Sequence, residues 1–197
     1  KTRYPVCIKV EKKLHRKSST LRKEMRIYRN LREAVGLPTV FWWGQHEGTN
    51  VMVMDVLGPS LKQLLPMRTS GRFSPLFTAK TMIHAMRSLR FLHARGYLHQ
   101  DVKPHNMVLA PGTVGVTVYM CDLGIARRFR DRETDAHLPI VYDQRLVGTV
   151  NYATINNHLG IEMSRRDDLE CLAYVAVFML FGSVPWAGLK KLKGSSR

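Results

Sequence analysis

The sequence predicts an α+β fold of two small lobes sharing one cleft, with strands and one helix in front and mostly helices behind. Three observations carry this. Short apolar runs with loose alternation crowd the first 57 residues, helical apolar spacing dominates after them, and Gly58-Pro59 breaks the chain between the two regimes. The expected division is therefore a front lobe over residues 1–57 and a rear lobe over 58–197.

Taken in order, Tyr4 to Val10 alternates loosely and reads as a strand. Thr20 to Ala34 reads as a helix, because Leu21, Met25, Tyr28 and Leu31 recur at helical spacing with charges between them. Thr39 to Trp43 and Asn50 to Asp55 read as two strands, split by the turn-rich stretch Gly44 to Gly48. Ser60 to Leu65 reads as a short helix. Ser74 to Arg95 reads as a long one, on the spacing of Phe77, Thr81, Ile83, Met86, Leu89 and Leu92. Met107 to Leu109 and Val116 to Met120 suggest a small hairpin. Arg127 to Val147 is charge-rich and reads as a mobile functional loop. Asp168 to Phe181 is apolar nearly all round and reads as a buried central helix.

Composition narrows the function classes. A chain of 197 residues can bury most of its apolar surface, and 45% hydrophobic residues exclude a disordered chain. No apolar run is long enough to span a bilayer; the longest, Leu169 to Phe181, amounts to one buried helix. Lys1-Thr2-Arg3-Tyr4-Pro5 has no apolar core behind it and is not a signal peptide, and the missing initial Met points to a piece of a longer protein. Cys7, Cys121 and Cys171 stand apart, none at metal-ligand spacing. They read as small buried hydrophobes in a reducing compartment, so cytoplasm and/or nucleus is expected. The net charge of +16 favours polyanionic partners. It is concentrated in residues 1–32, which hold twelve Lys or Arg against Glu11 and Glu24; a solvated helix face and loop is the plainer account of that run.

The stretch Tyr97-Leu98-His99-Gln100-Asp101-Val102-Lys103-Pro104-His105-Asn106 carries the most chemistry. It fits the phosphotransfer loop H-R-D-x-x-x-x-N with Gln for Arg. A carboxylate at Asp101 can orient a substrate hydroxyl and accept its proton. Five residues on, the Asn106 amide oxygen can bind a metal ion bridging phosphates, and Lys103 between them can neutralise the transferring phosphoryl group. Met120-Cys121-Asp122-Leu123-Gly124 then fits the D-F-G metal motif with Leu for Phe, delivering Asp122 as a hard oxygen ligand suited to Mg²⁺. Val6-Cys7-Ile8-Lys9 fits V-A-I-K, whose Lys reaches the α- and β-phosphates of ATP; Glu24, fifteen residues later on the predicted helix, is its natural partner.

On these motifs the chain resembles protein kinases, and among them the casein kinase 1 family. Asn50 to Leu61, Tyr152-Ala153-Thr154-Ile155-Asn156, His158 to Glu162, Ser164 to Glu170 and Gly182 to Lys190 carry the closer resemblance, which runs from Val6 to Lys190. Tau tubulin kinases and vaccinia-related kinases are sister groups. The resemblance implies a bilobal kinase fold, incomplete in both lobes. It implies that Met54 gates the pocket behind adenine, that Asp55 to Leu57 supply backbone hydrogen bonds to adenine, and that Cys7, Val108 and Cys121 line its apolar faces. It further implies that Asp168 braces the catalytic loop and that His99 is a core residue near Leu123.

Three departures qualify the resemblance. No G-x-G-x-x-G is present, and the chain stops soon after Trp186, so truncation at both ends is expected. Gln100 replaces an Arg that in many kinases binds a phosphorylated loop. Asn151 replaces an Arg that in the resembled family helps read a phosphate upstream of the target, which leaves that attraction to Arg127, Arg128 and the lysines Lys190, Lys191 and Lys193. The resulting expectation is a protein Ser/Thr kinase using ATP and Mg²⁺. Asp101 and Lys103 would be catalytic. Lys9, Glu24, Met54, Asp55, Leu57, Val108 and Asp122 would bind nucleotide, and Asn106 and Asp122 would bind metal. Acidic or phosphorylated protein substrates are expected, with no nucleic-acid partner, no membrane span and a monomeric state. The alternative is a catalytically impaired fragment, or a pseudokinase scaffold that binds acidic partners.

Overall fold

Residue alternation in the front part produces a three-stranded antiparallel sheet of β1 (Val6–Glu11), β2 (Val40–His46) and β3 (Thr49–Asp55), ordered β1-β3-β2. The computed structural model describes residues 4–11, 19–31, 36–112 and 116–189. On the central strand, Met52 and Met54 share one face and are buried. Helix α1 (Thr20–Asn30) covers that sheet, with Leu21, Met25 and Tyr28 buried at helical spacing. Ser19 caps the helix, its Oγ accepting the Arg22 N–H at 3.0 Å. β2 runs three residues past the expected Trp43. The turn contracts to Glu47 and Gly48, both left-handed at φ 47° and 72°, and that pair closes a tight hairpin.

Behind Gly58 the chain is mostly helical. The link is pinned: Gly58 N–H donates to Leu109 O at 2.8 Å and Leu109 N–H to Pro59 O at 3.0 Å. Ser60 caps α2 (Leu61–Leu64), whose end tightens into a 3-10 turn over Leu65–Met67. Helix α3 (Pro75–Ala94) starts at a Ser74 cap with Pro in its first turn. It packs against α5 (Arg165–Phe181), β4 (Tyr97–Leu98) and β6 (Val118–Met120), and Ala85, Leu89 and Leu92 are buried along it. Between the two helices lie β4, β5 (Met107–Leu109), β6, β7 (Arg127–Arg128) and the short α4 (Ile155–His158). β5 and β6 form the expected hairpin, with Met107 opposite Met120 and Leu109 opposite Val118.

Three expectations are corrected. Helix α5 begins at Arg165, not Asp168, because the Asp167 carboxylate takes the Ser164 N–H at 2.7 Å and caps an extra turn. Nor is it buried all round: Cys171, Leu172, Val175, Phe178 and Met179 are buried, while Leu169 is 48% and Phe181 72% exposed. The segment from Arg127 opens as a strand, with Arg127 and Arg128 pairing Leu98 and Tyr97. It continues as a knotted turn in which Asp131 accepts the Glu133 and Thr134 amides, both at 2.9 Å.

Candidate active site

Two clusters of polar side chains meet behind the sheet. The first is built on β1 and α1. Lys9 donates to Glu24 Oε1 and Oε2 at 3.0 and 2.8 Å and to Asp122 Oδ1 at 2.9 Å. Glu24, 1% exposed, also accepts the Leu123 N–H at 3.2 Å, so one carboxylate ties β1 to the Asp122–Gly124 turn. Asp122 adopts a left-handed backbone, φ 67°, which aims its carboxylate back at Lys9. A Cβ on Gly124 would come within 3.2 Å of both Asp122 Oδ1 and Thr20 Cγ2, so glycine lets this turn close against α1.

Electrostatics follow from burial and pairing. Burial works against an ionised Asp122, but the Lys9 ammonium and the Gly124 amide outweigh it and hold the carboxyl below its ordinary value. Burial opposes a charged Lys9 too, yet Glu24 and Asp122 raise it above its ordinary value, so Lys9 stays protonated. Glu24 is pushed up by burial, which Lys9 offsets only in part. The Cys121 thiol is pushed up to about 12 by burial and by the Asp122 charge.

The second cluster sits on the loop between β4 and β5. Buried Asp168, from the first turn of α5, accepts the His99 N–H and Gln100 N–H, each at 2.9 Å. The His93 ring at the end of α3 reaches the same carboxylate at 2.8 Å. This cradle holds Gln100 left-handed at φ 64° and presents Asp101 beyond it. Lys103 Nζ lies 2.6 Å from Asp101 Oδ2. Asn106 donates its amide N–H to Asp101 O at 2.9 Å and Oδ2 at 3.1 Å. That turns Asn106 Oδ1, which accepts no hydrogen bond among the described residues, away from Asp101.

A third element completes this cluster. Thr149 donates its hydroxyl to Asp101 Oδ1 at 2.8 Å and accepts Lys103 Nζ at 2.9 Å. Gly148 precedes it at φ +84°, and a Cβ there would come within 2.5 Å of Gln100 O, so only glycine allows this approach. Buried Asn157 in α4 grips the segment, giving Nδ2 to Val147 O at 2.7 Å and taking the Val147 N–H at 3.1 Å. Thr154 caps α4 and donates to buried Asp167 at 2.7 Å. The first turn of α5 therefore positions both the Asp101 loop, through Asp168, and the Thr149 loop, through Asp167.

The backbone of one residue joins the two clusters. Cys121 N–H donates to Asn106 O at 2.8 Å, and Cys121 O faces His99 Nε2 at 3.2 Å. Lys9, Glu24, Asp101, Lys103, Asn106 and Asp122 thus form one connected network. Met54 is buried on β3 opposite Cys7, and Val108 bridges to Ser60 beside the Gly58 link. The Asp55 N–H is spent on Thr39 O at 3.0 Å, and its carboxylate accepts the Thr39 N–H at 2.7 Å. Leu57 is the better-placed polar backbone, since its N–H and C=O make no protein hydrogen bond among the described residues.

One expectation for the substrate side changes. Arg127 is not free charge: it pairs with Glu162, and Arg128 stacks 5.4 Å over the Tyr97 ring. Lys190, Lys191 and Lys193 lie outside the described residues. Asn151 sits exposed in a 3-10 turn over Val150–Tyr152, and its carbonyl accepts the Trp186 indole N–H at 2.8 Å. Sequence reasoning missed Thr149, Gly148, Asn157 and His93. A glycine followed by Thr was the one local sign of the first two.

The chain matches the family model of the protein kinase domain over residues 1–195 and belongs to that family. Its fold is the bilobal α+β fold of that domain, and use of ATP and Mg²⁺ is general to it. The donor set fits such a metal. Among the described residues no three His, Cys, Asp or Glu converge as a self-sufficient cage, whereas Asn106 Oδ1 and the half-exposed Asp122 carboxylate are hard oxygens of the kind that hold Mg²⁺ together with phosphate oxygens.

Proposed function

We propose that the chain is a Ser/Thr protein kinase of the casein kinase 1 type that phosphorylates acidic protein substrates. The observation that carries this reading is the Asp101–Lys103–Thr149 triangle. Asp101 orients the substrate hydroxyl and takes its proton as the oxygen bonds to the γ-phosphorus of ATP, the bond from that phosphorus to the β–γ bridging oxygen breaks, and ADP leaves. Lys103, held by Asp101 and Thr149, offsets negative charge on that group. Lys103 and Thr149 crowd the carboxylate closely, which favours a short Ser or Thr side chain over a phenol. Lys9, fixed by Glu24, would meet the α- and β-phosphates, and Asn106 and Asp122 would hold Mg²⁺, which would supply positive charge against the phosphate oxygens. Met54, Asp55, Leu57 and Val108 line the adenine side, with the lobes dividing at residues 57 and 58.

The preference for acidic substrates rests on the +16 charge and on Asn151, which offers no cation for a phosphorylated residue upstream of the target. Asp101→Asn should lower kcat on an acidic Ser/Thr peptide by about 10²–10⁴-fold, with the KM for ATP little changed. The label should appear on phosphoserine or phosphothreonine. Phosphotyrosine product, or activity indifferent to Asp101→Asn, contradicts the reading. Asn151→Arg should raise the preference for a primed peptide about tenfold, the worth of one charge-assisted bond.

A further inference from the structure

From Val56 to Gln100 the chain carries no Asp or Glu, while seven Lys or Arg fall in the same 45 residues. The phosphotransfer site uses none of the seven. Three of them, Lys80, Arg87 and Arg90, stand exposed on α3. Helical periodicity decides what they stand among. Thr81, Ala85, Ser88, Leu89 and Leu92 turn to the core. Leu76, Lys80, Ile83, Met86, Arg87 and Arg90 turn the other way, over an arc of about 120° and a length of roughly 20 Å.

This exposed arc mixes cations with aliphatic carbon. Leu76 is 66%, Ile83 45% and Met86 47% exposed, and Ala79 and Ala94 add two small apolar positions. An ordinary solvated helix face would carry polar residues of both signs there. None of the three cations forms an ion pair among the described residues. Among those residues no helix is long and apolar enough to cross a membrane, but a face of this composition can lie on one.

We infer that the exposed face of α3 binds the surface of an anionic bilayer. Leu76, Ile83 and Met86 enter the boundary between headgroups and acyl chains, while Lys80, Arg87 and Arg90 meet the lipid phosphates and carboxylates. The long Lys and Arg stems lie along their aliphatic neighbours and lift the charge to the interface. The composition of the face selects this partner. A nucleic acid would use the cations and leave the aliphatic side chains in water. The arc also carries no aromatic ring for a base to stack on, and Phe91 at its margin is already covered by Arg95, 4.8 Å over the ring. An acidic peptide would need a groove, and both cavities described lie elsewhere, one between α1 and β2 and one around Phe129. A second copy of this +16 chain would bring the same unpaired cations to the contact and be repelled.

The test uses the full chain and sucrose-loaded vesicles of phosphatidylcholine, with or without about a third phosphatidylserine, sedimented at about 0.15 M salt. The chain should pellet with the anionic vesicles and stay in solution with the neutral ones. Arg87→Gln combined with Arg90→Gln should weaken binding by about tenfold or more, each cation near the surface being worth about fivefold. Arg87→Lys combined with Arg90→Lys keeps the charge and should keep binding within about twofold. Ile83→Ser should weaken it by about threefold or more. A chain of this charge attracts anionic surfaces from every side, so the control removes two cations elsewhere: Arg22→Gln combined with Arg26→Gln on α1 should change binding by less than about twofold. No sedimentation with anionic vesicles, equal loss in the α1 and α3 double variants, loss in the Lys pair, or binding indifferent to Ile83→Ser would each overturn the proposal. So would a thymidine oligonucleotide whose own affinity falls about tenfold in the α3 double variant, since the face would then serve nucleic acid. None of these residues belongs to the phosphotransfer site, so the outcome is independent of the kinase reading.

Discussion

Asp168→Asn should uncouple catalysis from nucleotide binding at a measurable cost in stability. The carboxylate is buried and receives three groups: the His99 and Gln100 amides at 2.9 Å and the His93 ring at 2.8 Å. An amide of the same shape keeps one acceptor oxygen and turns an NH₂ towards a buried donor. At least one charge-assisted bond is lost and one buried N–H is orphaned, a cost of about 3–5 kcal/mol. Against a total stability of roughly 5–15 kcal/mol this is large, and at about 2–4 °C per kcal/mol it lowers Tm by about 6–20 °C. The same bonds hold Gln100 left-handed one residue before Asp101. A shift of ~1 Å in Asp101 costs about a hundredfold in kcat, while Lys9 and Asp122, held by other elements, keep the KM for ATP within a few-fold. Thermal unfolding by circular dichroism, with kcat and KM measured below the variant's Tm, tests both parts. A Tm drop under about 3 °C together with unchanged kcat would refute the reasoning.

Further outcomes follow from the same geometry. Thr149→Val deletes the hydroxyl between Asp101 and Lys103; kcat/KM on peptide substrate should fall about tenfold to a hundredfold, with Tm nearly unchanged. Gly148→Ala should do at least as much damage, because its Cβ meets the Gln100 carbonyl at 2.5 Å and its φ of +84° strains any side chain; steady-state kinetics beside a thermal melt separates the two. Lys9→Met leaves Glu24 buried without its cation, so burial raises its pKa further than in the wild type. A carboxyl with a folded pKa above its unfolded value favours the fold more as pH falls. The Tm gap between wild type and Lys9→Met should therefore be wide at neutral pH and narrow on acidification towards the ordinary carboxylate range; a gap constant with pH would count against the buried pair.

The parts of the site visible in the sequence are those fixed by short spacing. Asp101, Lys103 and Asn106 lie within one loop, and their mutual contacts follow from that spacing. Lys9 and Glu24 could be paired because a strand end and a helix interior each announce themselves locally. Thr149 reaches Asp101 across 48 residues through a segment with no periodicity, so the Gly-Thr pair was its one local sign and did not say what it would meet. The β4–β7 pair is two residues long on each side and below any alternation signal. Helix α5 looked buried all round because its composition is apolar, yet only one flank faces α3 and Phe181 is left in solvent.

The Cys121 backbone gives the site a thermodynamic signature. Its N–H belongs to the Asn106 side and its carbonyl to the His99 side, while the next residue is the Lys9-bound Asp122. Lys9 and Asn106 therefore depend on the placement of one residue's backbone, though each sits in a different cluster. Substitutions at the two positions should not combine as independent losses, because the first already frees the backbone that the second would disturb. Tolerance of change at one half of this site is accordingly conditional on the other, and sequence drift here is constrained in pairs rather than residue by residue.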